Sequence, residues 1–129
     1  MRSLRLSKAW LTLGWFMVCV LVYLSLNPSP PELPEFPLAD KAIHWLSYAG
    51  IMLWFGFIYK PGKKYLLLGL TLILLGVILE VLQGAGGYRS MEVSDASCNG
   101  LGVFAGWLLA RTRLSSILLW TERLIYRDH

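Results

Sequence analysis

Apolar residues fall into four long blocks along the chain, each closed by proline, glycine or charge. The first, 9–26, holds no charged side chain, and at 1.5 Å per residue a helix of that length reaches about 27 Å, enough to cross a bilayer core. Arg2, Arg5 and Lys8 precede it. A basic start before an apolar run also opens a secretory signal, but the run is long for one. Ser25-Leu26-Asn27 lacks the small residues of a cleavage site, so a retained helix is expected. The second block, 42–59, is interrupted only by His44, Ser47 and Tyr48 and stops at the basic turn Lys60-Pro61-Gly62-Lys63-Lys64. The third, 65–83, is apolar until Glu80 and Gln83. The fourth, 95–110, opens with Asp95 and Asn99 and continues through Gly102 and Gly106.

The connections differ in kind. Residues 27–39 hold five of the six prolines, so this stretch should run extended, as a stiff connector or as a strap over the polar groups that follow. Residues 84–94 form a glycine-rich turn carrying Arg89 and Glu92. After Arg111 and Arg113, the residues Leu114, Ile117, Leu118, Leu124 and Ile125 recur near helical spacing beside Arg123 and Arg127, the pattern of a helix lying in an interface. The expected fold is an all-α integral membrane protein: a four-transmembrane-helix bundle over 9–26, 42–59, 65–83 and 95–110, with a C-terminal amphipathic interfacial helix over about 114–126. At 129 residues the chain is too short for two domains.

Composition supports that class. The chain is 56% hydrophobic and 16% charged, with a mean hydropathy of +0.54, more apolar than a typical soluble domain. A net charge of +4 invites a nucleic-acid partner, but the basic residues flank apolar blocks instead of clustering with aromatics, so no nucleic acid is expected. Assigning alternate sides puts ten basic residues with the chain ends and the 60–64 turn, and only Lys41 and Arg89 opposite. The positive-inside rule then places both termini on the cytoplasmic side of the inner membrane. Trp10, Tyr59, Tyr65, Trp120 and Tyr126 would mark the inner interface, and Tyr23, Trp45 and Tyr88 the outer one. Cys19 and Cys98 fall at different depths, which argues against a disulfide.

The candidate chemistry lies at the outer level. Asp40, His44 and Tyr48 are four apart and form one helical stripe; Glu80 and Gln83 share a face with Gly76 and Gly69. Asp95, Asn99, Gly102 and Gly106 make a third stripe, polar at its start and small below, where glycines let helices approach. An ionisable group at mid-membrane costs roughly 2.5–3.5 kcal/mol, so Glu80, about one turn inside, requires a partner.

These residues resemble the VanZ-like family of small bacterial membrane proteins: Asp40-Lys41-x-x-His44-x-x-x-Tyr48, then Glu80-x-x-Gln83, Arg89, Asp95-x-x-x-Asn99-x-x-Gly102 and Gly106. The similarity covers about 30–110. It implies a multi-helix membrane protein of the cell envelope, in a family whose founding member is associated with tolerance of the lipid-tailed glycopeptide antibiotic teicoplanin. It implies no settled reaction.

Three readings of the polar set follow. In the first, Lys41, His44, Tyr48, Glu80, Gln83, Arg89, Asp95 and Asn99 line a pocket facing the outside. Arg89, Lys41 and His44 hold a phosphate or carboxylate there, and the others hydrogen-bond a sugar or peptide amide. Its partners would be membrane lipids and a lipid-linked envelope precursor or another amphiphile. In the second, the protein is an enzyme with His44 as general base, oriented by Asp40 or Glu80, with Asp95 a further candidate. In the third, Arg89 pairs with Asp95 or Glu80 and His44 with Asp40, only to fix helix order. Asp95 would then cap the fourth helix and Tyr48 would be an interfacial aromatic. His44 with Glu80 and Asp95 is a weak metal signal, and no metal or cofactor is expected.

Overall fold

A computed structural model describes residues 1–29, 32, 38–87 and 91–127. Most of the proline-rich strap, Tyr88, Arg89 and His129 lie outside the described residues. The described chain is all α, with no strand. Its elements are α1 (Ser7–Leu26), α2 (Ala39–Ile58), α3 (Lys63–Ala85), α4 (Val93–Leu109) and, after a short 3-10 turn over Arg113–Ser116, α5 (Ile117–Ile125). By length and composition, α1 and α3 are able to cross a membrane. α4 has 17 residues, and α2 carries Asp40, Lys41 and His44 in its first turns.

α2 is the central helix. Tyr48, Met52, Phe55 and Ile58 along it are buried to 2% exposure or less, and α1, α3 and α4 pack around them. Against α1, Gly14 leaves room for the Phe55 ring, Trp10 meets Trp54 edge-on at 6.0 Å, and the Trp54 indole donates to the Trp10 carbonyl at 3.1 Å. Against α4, the approach is close enough that a Cβ on Gly102 would overlap the Trp45 carbonyl oxygen, and one on Gly106 that of Ala49. The weak Gly102-x-x-x-Gly106 motif is therefore the α2–α4 seam.

The outer faces of α1 and α3 are apolar as well as the core. Leu66, Leu67, Leu70, Leu74, Val81 and Leu82 of α3 are exposed, as are Trp15, Phe16 and Leu24 of α1, while Glu80, Gln83, Asp95 and Asn99 are buried. Charged side chains are almost never fully buried unless paired, so these four need partners on neighbouring helices.

Two aromatics expected at an interface are buried. Tyr65, in the first turn of α3, is 1% exposed, and its hydroxyl donates to the Met52 carbonyl at 2.8 Å across the α2–α3 contact. Tyr48 is 2% exposed and abuts Gly76, so it is a core residue and not a surface aromatic. The expected continuous helix over 114–126 is instead divided: the Thr112 hydroxyl accepts from the Leu114 amide at 3.3 Å, and α5 starts at Ile117. Both cysteines are free thiols.

The chain ends are joined. The first amides of a helix lack intrahelical acceptors, and α1 has no side-chain cap of its own. Glu122 of α5 supplies one, accepting from the Arg5 amide at 2.7 Å, the Leu6 amide at 2.9 Å and the Trp10 indole at 2.8 Å. The Arg2 amide donates to the Ile58 carbonyl at 2.8 Å and ties the same segment to the end of α2.

Candidate functional site

The start of α2, the end of α3 and the start of α4 meet at one end of the bundle. Asp40 and Lys41 lie in the first turn of α2, and Asp95 in that of α4. The expectation that Asp95 caps α4 fails: Glu92 occupies the cap position, where its side chain makes no capping bond to the helix, and Asp95, 1% exposed, turns to α2. The Lys41 ammonium reaches Asp95 Oδ1 and Glu92 Oε2, both at 3.0 Å. Its two partners differ sharply: the Asp95 side chain is 2% exposed and that of Glu92 49%. The Lys41 hydrogen bond, then that from Ser94, holds the Glu92 carboxyl below the usual carboxylate range.

One turn deeper, His44 Nδ1 lies 3.0 Å from Asn99 Oδ1 and 3.9 Å from Glu80 Oε1. Both neighbours are oxygens and the amide oxygen only accepts, so Nδ1 donates to Asn99. The opposite nitrogen, Nε2, then faces Asp40, whose Oδ1 is 3.6 Å away. Tyr48 follows on the same stripe. A Cβ on Gly76 would stand 3.2 Å from the Tyr48 hydroxyl and 3.3 Å from the Asn99 side chain, so both press against α3 at that glycine. Buried polar groups of this kind are expensive unless bonded, and here the bonds run between helices.

Asp40, Lys41, His44, Glu80, Asp95 and Asn99 thus form one cluster, with Tyr48 beside it. Gln83 shares the α3 face with Glu80, but its amide nitrogen reaches away to the Ser25 carbonyl at the end of α1, at 2.6 Å. Its buried Oε1 has no hydrogen-bond partner among the described residues. Arg89 lies outside the described residues. Asp40, His44 and Asp95 are the described residues whose donor atoms are close enough, within 4.8 Å of one another, to hold a divalent ion. Lys41 and Asn99 already take one atom each from Asp95 and His44.

Sequence reasoning placed Glu92 at this end without giving it a role; its signal was proximity to Asp95 opposite a lone lysine. Glu122 went unnoticed, although it is a single acid in an otherwise basic amphipathic segment.

No protein-family model, curated protein or solved structure matches the chain. The class of protein therefore rests on the chain's own features: an all-α bundle, apolar outside, with a buried polar cluster joining α2, α3 and α4 at one end.

Proposed function

We propose that this is a VanZ-like, four-span protein of the cytoplasmic membrane, with both chain ends cytoplasmic. Its polar cluster binds, from the outside, the head group of an amphiphilic ligand related to the cell envelope. The observation that carries the reading is the pairing of Lys41 with Asp95 and of His44 with Asn99, 54 and 55 residues apart, inside a bundle with an apolar exterior. Two charges would suffice to lock helices together, and this end commits many more. Lys41 and Arg89 are the cations for a phosphate or carboxylate, while Asn99, Tyr48 and the carboxylates bond hydroxyl or amide groups. Low polarity around the cluster strengthens each such bond. α2 and α4 join α1 and α3 as spans because they turn their polar residues inward, and a founding member tied to teicoplanin tolerance fits a ligand with a polar head and an apolar tail.

The test is thermal unfolding of the purified protein in detergent, with teicoplanin and with a polyprenyl pyrophosphate. Either ligand should raise the midpoint of the wild type, but not of His44→Ala or Arg89→Ala variants that still fold. Unchanged stabilisation in both variants, or none in the wild type, would refute the pocket. If both substitutions abolish folding, the cluster serves helix packing alone.

The placement of His44 favours a second reading, catalysis. Asn99 accepts from Nδ1 and so orients the ring, which leaves Nε2 as the basic nitrogen. Product release from a lipid-linked substrate, lost in His44→Ala, would select this reading over binding alone.

A further inference from the structure

At the other end of the bundle, α3 and α4 run antiparallel and leave an apolar groove of about 210 Å³ between them. Leu66, Leu70, Ile73 and Phe104 form its walls, and Gly69 keeps its floor open. Trp107 closes it at the end where α3 begins and α4 finishes. Directly there, the Arg111 guanidinium lies 3.8 Å from the centre of the Trp107 ring. Stacking of this kind holds the planar fork in place while leaving its edge open to an oxyanion. Among the described residues no carboxylate pairs with Arg111, nor with Lys63, Lys64 or Arg113 at the same end.

An apolar trough ending on an oriented cation matches a molecule with an acyl chain and an anionic head. We infer that this groove holds an anionic phospholipid of the leaflet nearest the chain ends, its acyl chain against Gly69, Leu70 and Phe104 and its phosphate on Arg111. Lys63, Lys64 and Arg113 add a positive field that favours lipids of net negative charge over zwitterionic ones. A second copy of the chain fits less well. Side by side in one membrane it would bring the same unpaired cations against these. The inference rests on the membrane-spanning part of the reading above and is independent of what the polar cluster binds.

The experiment uses the full chain in neutral detergent, titrated with phosphatidylglycerol or phosphatidylcholine, with bound lipid read by native mass spectrometry and stability by thermal unfolding. Phosphatidylglycerol should be retained and raise the midpoint, and phosphatidylcholine should do neither. Arg111→Ala should weaken phosphatidylglycerol binding roughly tenfold, the scale of one lost charge-assisted hydrogen bond. Leu70→Trp fills the groove from an exposed position and should abolish binding with every charge intact. Arg113→Ala, which removes only a share of the surrounding field, should weaken binding by much less than Arg111→Ala does. Equal retention of the two lipids, equal losses in Arg111→Ala and Arg113→Ala, or a dimer in detergent that Leu70→Trp disrupts would each overturn this inference alone. A chain that stays folded and monodisperse without detergent would overturn the membrane reading, and this inference with it.

Discussion

Glu122 caps a helix that begins more than a hundred residues before it: its Oε1 accepts from the Leu6 amide at 2.9 Å and its Oε2 from the Arg5 amide at 2.7 Å. A carboxylate at a helix N-terminus also faces the positive end of the helix dipole. Removing it strands two amides and the Trp10 indole in a site where Glu122 is 5% exposed. Each buried donor left without an acceptor costs roughly 1–3 kcal/mol. Glu122→Ala should therefore lower the unfolding midpoint substantially. Trp10→Phe, which deletes one donor and leaves the carboxylate its two amides, should lower it less. The two midpoints, measured in the same detergent, check the order.

The same carboxylate makes stability depend on pH. Burial pushes the Glu122 carboxyl up, but the Leu6 amide, the Trp10 indole, the Arg5 amide and the Arg5 charge outweigh it, and the net direction is down. A carboxyl with a lowered folded-state pKa contributes stability that is present above its unfolded pKa and lost as pH falls through the folded one. The wild-type midpoint should thus decline on acidification below the usual carboxylate range. In Glu122→Gln it should start lower and decline less over the same interval. Parallel acid titrations of the two proteins provide the measurement.

What the sequence shows of this molecule follows from how local each signal is. The four apolar blocks lie within three residues of α1 to α4 at every end, because proline, glycine and charge interrupt helices where they stand. The Asp40–His44–Tyr48 and Asp95–Asn99 stripes are legible for the same reason, as helical spacing is a local property. The turn of Gln83 toward Ser25, the burial of Tyr65 beneath Met52 and the reach of Glu122 to Leu6 were not legible. Each depends on which helix lies alongside. A lone polar residue in an apolar helix indicates that it has a partner without naming it.

Lys41 bridges a buried acid and an exposed one, so its two bonds are unequal. Asp95 is shut away from water and depends on its partners for compensation, while Glu92 is half solvated and loses little when unpaired. Glu92→Gln should leave the unfolding midpoint almost unchanged, whereas Lys41→Met should depress it clearly. A double variant, Lys41→Met with Asp95→Asn, should regain part of that loss. Equal effects of the two single substitutions would contradict the asymmetry.

The α2–α4 seam depends on two missing side chains. A methyl at Gly102 or Gly106 meets backbone carbonyls of α2, which cannot rotate away as a side-chain tip does. Forcing extra carbon into a packed contact costs about 1–3 kcal/mol or more. Gly100 lies on the same helix with nothing within 4 Å of an added Cβ. Alanine there should gain up to about 1 kcal/mol from helix propensity. Gly102→Ala and Gly106→Ala should therefore destabilise, and Gly100→Ala should be neutral or stabilising, in thermal unfolding of the three variants. Because His44–Asn99 and Lys41–Asp95 cross this seam, the first two substitutions should also weaken any ligand response.

The proposed orientation can be tested without any ligand. Ten of the twelve basic residues fall with the chain ends and the 60–64 turn, which the positive-inside rule assigns to the cytoplasm, and the proposal accordingly turns the polar cluster outward. Cys19 and Cys98 form no disulfide and can be replaced by serine to clear the background. Ser94 is exposed at the cluster end and Ser116 at the opposite end, beside α5. In intact cells a membrane-impermeant maleimide should label Ser94→Cys. It should label Ser116→Cys only once the membrane is permeabilised. The reverse pattern would put the cluster in the cytoplasm, where an envelope ligand could not reach it from outside. Labelling of both sites in intact cells would mean that the two ends of the bundle lie on one side, which four spans do not allow.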